Sequence, residues 1–389
     1  MKITPANRLR CLPPYPFFEI DKARAKARAE GVDIIDLGIG DPDKPTPAHI
    51  VKAMEKAVLK PENYQYPSTE GKIEFRRTVA VWCKQRFNLD LDPDTQILSL
   101  MGSKEGIGHI PLAFVEPGEV VLVPSPGYPV YEPATIFAGG IPHLMPIREE
   151  NNFLPVLEDI PESVLEKAKL IFINYPNNPT GATAPASFFK QVVEIAQRYE
   201  IVVCHDAAYS ELYSEDNKPT SLMEVDGAFE VGLEFHSLSK TYNMTGWRIG
   251  FAIGNKDLVK GLTNIKSNLD SGVFQAVQEA AIAALTGPQD CVESMRKLYQ
   301  GRRNVLVEGL RQLGWSVANT SGAFYVWIRV PFDIDSTTFC ADLLKRCGIV
   351  ATPGVGFGSH GEGYIRIALT LDEDRIAEAV ERIKREQWW

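Results

Sequence analysis

No apolar run in this chain approaches the length that crosses a bilayer, and the opening residues, Met1 to Arg8, contain none of the apolar core that a secretory signal requires. A cytoplasmic protein without a membrane partner is expected. The six cysteines (Cys11, Cys83, Cys204, Cys291, Cys340, Cys347) never fall in C-x-x-C spacing, which argues against a disulfide framework and a thiolate zinc site. The six histidines include no H-E-x-x-H pattern, so metal catalysis finds no support either. Positive charge is in deficit, with 41 Lys and Arg against 50 Asp and Glu and a net charge of -9. Without a basic excess to neutralise phosphates, general nucleic-acid binding is excluded, whereas a local basic pocket is not. Internal repeats and low-complexity tracts are absent as well.

What remains is an ordinary globular composition, 44% hydrophobic and 23% charged, in 389 residues. That length supports a large core and two domains. The expected division is an arm over 1–45 that joins the smaller domain, a large ligand-binding domain over 46–287 and a small C-terminal domain over 288–389. In the arm, residues 11–18 carry too many prolines for a helix, and a charged helix over 19–30 ends at Gly31. Residues 33–37 then form a short strand running into a turn, where Gly40 either serves the turn or lets backbone approach a ligand closely.

From Thr46 the pattern is α/β. Helices are predicted over 49–59 and 73–87, the second with Phe75, Val79 and Trp82 on one face. A strand over 97–101 leads to Gly102-Ser103-Lys104 and a helix from 105 toward 115, which Pro111 should kink. Strand, glycine, hydroxyl and helix start make either an anion site of free backbone N–H groups or an ordinary helix cap. Three further apolar strands, 120–123, 170–174 and 201–205, lead to Tyr128, to Asn178, and to Asp206 with Tyr209. Helical segments, notably 186–199, lie between them, so the sheet should be mainly parallel with helices on both faces. In such sheets ligands bind outside the carboxyl ends of the strands.

The apolar run 232–236 delivers Ser237-Leu238-Ser239-Lys240, and Arg248 follows eight residues after the lysine. By itself this also fits a solvated turn. An amine held among anion donors can attack an aldehyde while Ser237, Ser239 and Arg248 hold a phosphate. Convergence decides between the two readings, because an aromatic ring (Tyr128), an amide (Asn178), a carboxylate and a phenol (Asp206, Tyr209) and a lysine (Lys240) all stand at strand ends of one sheet. Pyridoxal phosphate asks for such a set: an anion at the ring nitrogen, donors at the ring oxygen, a flat face above the ring, an amine for the aldehyde and cations at the phosphate. The remainder adds an antiparallel strand over 247–254, an amphipathic helix over 289–313 that links two domains, strands over 324–330 and 364–369, and helices over 336–347 and 372–386. The glycine run 354–358 has neither the strand before it nor the helix after it that a dinucleotide fingerprint needs.

In chain order, Pro176-Asn177-Asn178-Pro179-Thr180-Gly181, Asp206-x-x-Tyr209, Ser237-x-Ser239-Lys240 and Gly246-Trp247-Arg248-Ile249-Gly250 resemble the fold type I, class I/II aminotransferases over essentially the whole chain. The resemblance implies an aspartate-aminotransferase-like α/β fold, pyridoxal 5'-phosphate as cofactor, amino-acid and 2-oxo-acid substrates, and a homodimer with active sites at the interface. It also implies that Lys240 binds the cofactor and moves the substrate proton, that Asp206 pairs with the ring nitrogen, that Asn178 and Tyr209 bond the ring oxygen, and that Tyr128 stacks on the ring. Ser103, Lys104, Ser237, Ser239 and Arg248 are implied around the phosphate, with Tyr66 reaching the phosphate of the neighbouring subunit. Arg366 would clamp the substrate α-carboxylate, a task suited to a planar two-donor group.

Within the family, residues 15–20, 39–41, 102–106 and 266–272 are most similar to members that act on LL-diaminopimelate. The far end of that substrate carries both an ammonium and a carboxylate. Lys104 and Asn268 are candidate donors for it, Tyr15 can do either, and Gly40 allows close approach. Residues 66–71 depart from the pattern of plant-type members, which leaves the role of Glu70 open; its carboxylate can accept from the distal ammonium if its loop points inward. The alternatives are an aspartate or broad-specificity aminotransferase, and a carbon–sulfur β-lyase on the same cofactor. A cofactor-binding regulator would need a DNA-binding module, for which the arm before Tyr15 is too short.

Overall fold

In the computed structural model, which describes residues 3–12, 16–214, 217–320 and 322–386, most of the chain wraps a seven-stranded sheet. A first strand, β1 (Ile35–Asp36), lies outside it. The seven are β2 (Ile97–Leu100), β3 (Val120–Ser125), β4 (Ile141–Pro146), β5 (Ala168–Asn174), β6 (Val202–Asp206), β7 (Gly232–Ser237) and β8 (Gly250–Gly254). Their order is β2-β8-β7-β6-β5-β3-β4, and every pair is parallel except the two made by β8, the antiparallel insertion read from the sequence.

Both faces of the sheet are covered, which explains why its strands read as unbroken apolar runs. Leu98, Val121, Val123, Leu170, Phe172, Leu233 and Phe235 pack on one face with Ile107 and Ile110 of helix Ser103–Phe114 and Leu258 and Leu262 of helix Lys256–Leu269. Their sequence neighbours Ile97, Leu122, Ile171 and Ile173 pack on the other, against Phe75 and Val79 of helix Ile73–Phe87 and Phe188 and Phe189 of helix Ala186–Tyr199. The alternation is the two-residue period of a strand. Each such burial contributes about 1.5–3 kcal/mol.

Sequence reading and structure differ at several places, four of which bear on the site or its frame. The edge strand β4 was not foreseen, because Pro142 and Pro146 speak against a strand; it pairs only with β3, and an edge tolerates missing N–H donors. Helix Pro16–Ala29 starts inside the stretch judged too proline-rich, since at the first helical position the missing N–H has no intrahelical partner to lose. The strand expected from 247 begins at Gly250, because the chain first makes a 3-10 turn, Thr245–Trp247, and Arg248 takes the left-handed conformation at φ 56°. Lys240 sits not at the strand end itself but in the short helix Leu238–Thr241 that follows β7.

A smaller antiparallel sheet is built by β9 (Tyr325–Arg329), β11 (Thr352–Pro353) and β12 (Tyr364–Ala368), in the order β11-β12-β9, while β10 (Ile349–Val350) pairs in parallel with β1. Helix Asp290–Gln312 sends Met295, Tyr299, Leu306 and Leu310 into this second core and Val292 into the first. Its Arg302, fully buried, grips both oxygens of Asp43 at 2.7 Å and the Leu369 carbonyl at 2.9 Å. That fixes the segment after β1 against the small sheet. No helix among the described residues is long and apolar enough to cross a membrane.

Away from the strand ends, buried charge is paired. Glu234 turns away from Leu233 and Phe235 and accepts four hydrogen bonds, from His205 Nδ1 (2.8 Å) and from His236 Nε2, Ser221 Oγ and the Leu222 N–H (each 2.7 Å). Burial alone would push its carboxyl up; the bonds from His205 and His236 override that and hold it well below its ordinary value of 4.5. Glu234→Ala should therefore cost about 3–5 kcal/mol in urea unfolding at pH 7, the scale for removing one partner of a buried ion cluster. A folded-state value below the unfolded one stabilises fully above pH 4.5 and loses its effect as the pH falls through the folded value, so the gap to wild type should narrow in acid. Equal stability of the two proteins at pH 7 would contradict this.

Candidate active site

The carboxyl ends of β5, β6 and β7 open onto a cavity of about 260 Å³ that the small sheet closes from above. Lys240 projects into it and donates from Nζ to the Gly40 carbonyl at 2.9 Å. Burial lowers the pKa of this amine to about 8, with Asp41 opposing and Arg366 and Arg248 reinforcing the shift. A useful fraction is then neutral, and so nucleophilic, at the pH of the cell.

Asp206 ends β6 and is 5% exposed. Tyr131 donates its hydroxyl to Oδ2 at 2.9 Å and the Ala208 N–H reaches Oδ1 at 3.3 Å. Burial nevertheless pushes the carboxyl up, against the pull of these bonds and of His205 and His236. A carboxylate in that condition gains from a cation, and a protonated ring nitrogen is one. Tyr131 was not singled out in the sequence. It lies three residues beyond Tyr128 in an apolar helix, stacks on Phe172 with centroids 4.8 Å apart, and reads as core.

Arg366, 2% exposed on β12, donates from Nη1 to Asn178 Oδ1 at 3.0 Å and from Nη2 to the Gly38 carbonyl at 2.8 Å. Its guanidinium lies 4.3 Å from the ring centre of Tyr325 and 4.8 Å from that of Phe357. With its oxygen taken by Arg366, the Asn178 carboxamide has its N–H donors left for a ligand. Tyr209 and Tyr325 join hydroxyls at 2.9 Å. Tyr325 was missed too, hidden in an apolar strand, and it accounts for Gly40: a Cβ there would stand 2.2 Å from the Tyr325 hydroxyl.

On the opposite wall Ser237 Oγ accepts from the Ser239 N–H at 3.2 Å, and Ser103 opens its helix after Gly102. Arg248 donates to the Thr245 carbonyl at 2.9 Å and the Met101 carbonyl at 3.2 Å. Gly102 is required here, with φ at +80° and a Cβ that would fall 2.4 Å from Arg248 Nη2. Hydroxyls, a helix N-terminus and a guanidinium are the donors a phosphate calls for. Lys104 lies exposed at the rim, and Tyr128 half-buried beside Tyr131 with ring centres 5.7 Å apart. The donor set fits pyridoxal phosphate.

Not every expected residue reaches the cavity. Tyr66 is 92% exposed, and Asn268 donates its amide to the Asn264 carbonyl at 2.8 Å; neither lines the cavity of its own chain. Glu70 is exposed, with its carbonyl accepting from the Ser99 N–H at 3.0 Å, and Tyr15 lies outside the described residues. Among the described residues Glu105, His109 and Asp270 cluster as metal ligands do, but the Lys266 ammonium already bonds both carboxylates.

Residues 32–383 match the family described as aminotransferase class I and II. The chain is 53% identical over 379 residues to the LL-diaminopimelate aminotransferase of Halothermothrix orenii, covering 97% of each chain. Identity to that of Aquifex aeolicus is 54%, over 97% of this chain and 98% of the relative. Among solved structures, substrate-bound BacF from Bacillus subtilis is similar with a TM-score of 0.95 and 36% identity, over 99% of this chain and 98% of its own. Lysine, buried carboxylate and phosphate donors at the ends of parallel strands thus meet a family match along nearly the whole sequence, and the chain belongs to the pyridoxal-phosphate-dependent aminotransferases of class I and II, with their aspartate-aminotransferase-like fold.

Proposed function

We propose that the protein exchanges an amino group between LL-diaminopimelate and 2-oxoglutarate in lysine biosynthesis, with 2-oxoglutarate as the acceptor of the amino group that LL-diaminopimelate gives up. The observation that carries the substrate is the likeness, across 97% of this chain, to relatives that bear that name. When bound, pyridoxal phosphate supplies an aldehyde for the Lys240 amine and a ring that takes up the negative charge left on the substrate Cα. Lys240 Nζ, with a pKa near 8, is matched to taking the Cα proton and returning it, and the Gly40 carbonyl holds it over the cavity. Asp206 keeps a negative charge against the ring nitrogen, braced by Tyr131. Tyr209 and Asn178 offer donors to the ring oxygen, Tyr128 covers the ring, and Ser103, Lys104, Ser237, Ser239 and Arg248 hold the phosphate. Arg366 receives the α-carboxylate in a water-poor site where two parallel N–H donors act strongly.

The same reading makes the active unit a cytoplasmic homodimer, with residues 46–287 as the cofactor-binding body and 288–389 with the arm 1–45 as the smaller one. Tyr64, Tyr66, Leu269 and Phe274 are 64%, 92%, 58% and 41% exposed, and they lie in two neighbouring segments, 64–66 and 269–274, that Gln275 ties together by donating to the Glu62 carbonyl at 3.2 Å. Exposed apolar surface of that kind suits a second subunit, whose cavity Tyr66 and Asn268 would then complete.

Borohydride reduction followed by peptide mapping should place the pyridoxyl group on Lys240, and a label on another lysine would reject the assignment. Because the neutral amine is the nucleophile, cofactor uptake by cofactor-free protein should quicken with rising pH and level off above about 8; a rise continuing toward 10.5 contradicts the lowered value. For the substrate, steady-state kcat/KM with 2-oxoglutarate as acceptor should favour LL-diaminopimelate over aspartate and lysine by about a hundredfold or more, since a site built to pair a distal zwitterion leaves buried groups unsatisfied with either analogue. Preference for aspartate would overturn the substrate while leaving amino transfer intact.

A further inference from the structure

Lys266 has no part in the chemistry derived above, yet its ammonium is completely buried. From the last turn of helix Lys256–Leu269 it bonds Glu105 Oε1, Asp270 Oδ1 at 2.8 Å and the Ser271 carbonyl at 2.9 Å. Glu105 lies in the first turn of helix Ser103–Phe114, next to Lys104 and two residues from Ser103. Its second oxygen accepts the Met101 N–H, and the Met101 carbonyl accepts from Arg248. One residue of the turn that carries Ser103 is thus held from both sides, by a carboxylate and by the guanidinium assigned to the phosphate. His109 also faces the cluster, with Nδ1 3.9 Å from Glu105 and 3.7 Å from Asp270.

A buried carboxylate so near an anion site works against the anion unless a cation cancels it. Burial pushes the Glu105 carboxyl up, and Lys266 is the chief group pulling it back toward ionisation. Toward the other side, Asp270 and Ser271 lead to Gly272, which packs so close to the Ser68 carbonyl that a Cβ would lie 2.0 Å from it. The same ammonium therefore anchors the loop that abuts residues 66–70.

We propose that Lys266 is a positioning residue for cofactor binding: it neutralises Glu105, so that the Met101–Lys104 turn can be braced by a carboxylate and still receive a phosphate. The proposal rests on the phosphate site assigned above. Its test compares dissociation constants of the full-length protein for pyridoxal phosphate and for pyridoxal, which lacks the phosphate. In Lys266→Met the preference for the phosphorylated ligand should fall about tenfold or more with pyridoxal binding little changed, and Lys266→Met combined with Glu105→Gln should restore most of it. Glu105→Gln alone, which leaves Lys266 paired with Asp270 and so removes the risk of a misfolded variant, should raise the preference several-fold. An unchanged preference in Lys266→Met, a lowered one in Glu105→Gln, or equal weakening of both ligands in the single and double variants overturns the proposal. A wild type that binds pyridoxal as tightly as its phosphate overturns the phosphate site itself.

Discussion

Parallel pairing of β5, β6 and β7 sends three strand ends to one edge of the sheet, and the register between them decides which side chains meet there. Asp206 lies opposite Asn174 in the β5–β6 pairing. The Asn174 side chain locks this arrangement, donating to the Asp206 carbonyl at 2.7 Å and accepting the Asn178 N–H at 2.8 Å. A slip of one residue would turn Asp206 to the face that His205 now occupies, and the pocket would lose its carboxylate. Asn178, Asp206 and Tyr209 at the cavity inherit their positions from that register and from the apolar packing on both faces that enforces it.

The second governing feature is how charge is kept out of water. Burial lowers the Lys240 amine and raises the Asp206 carboxyl, so each gains from a ligand that supplies what the protein leaves incomplete. Elsewhere the buried charges are already satisfied: Glu234 by two histidines, Arg302 by Asp43, and Lys266 by Glu105 and Asp270. The contrast separates a site prepared for chemistry from clusters that hold the fold. It also gives the His205–Glu234–His236 group a use beyond stability, because both histidines help to hold Asp206 ionised from the far side of the sheet.

Much of this was legible in the sequence, for a physical reason. Polar residues that follow apolar runs stand out at strand ends, so Tyr128, Asn178, Asp206, Tyr209 and Lys240 could be read as a converging set, though each alone also fits an ordinary loop or turn. Tyr131 and Tyr325 could not, because each sits in an apolar pattern and its hydroxyl meets a partner distant in sequence, Asp206 in one case and Tyr209 in the other. The Lys266–Glu105 pair, 161 residues apart, is invisible to any local pattern. Strand β4 was lost to its two prolines, whose tolerance depends on an edge position that only the topology reveals. Tyr66 and Asn268 were named, but their distance from the cavity of their own chain follows from tertiary structure alone.

The central claim is that this pocket accepts the amino group of LL-diaminopimelate, and a single half-reaction tests it without any acceptor present. The holoprotein is mixed with one amino acid at a time and the absorbance of the bound cofactor is followed. LL-diaminopimelate should convert the cofactor from its aldehyde to its amine form, with one equivalent of cyclised keto product released per site, while aspartate and lysine leave most of the aldehyde form in place over the same interval. Full conversion by aspartate with none by LL-diaminopimelate would contradict the account.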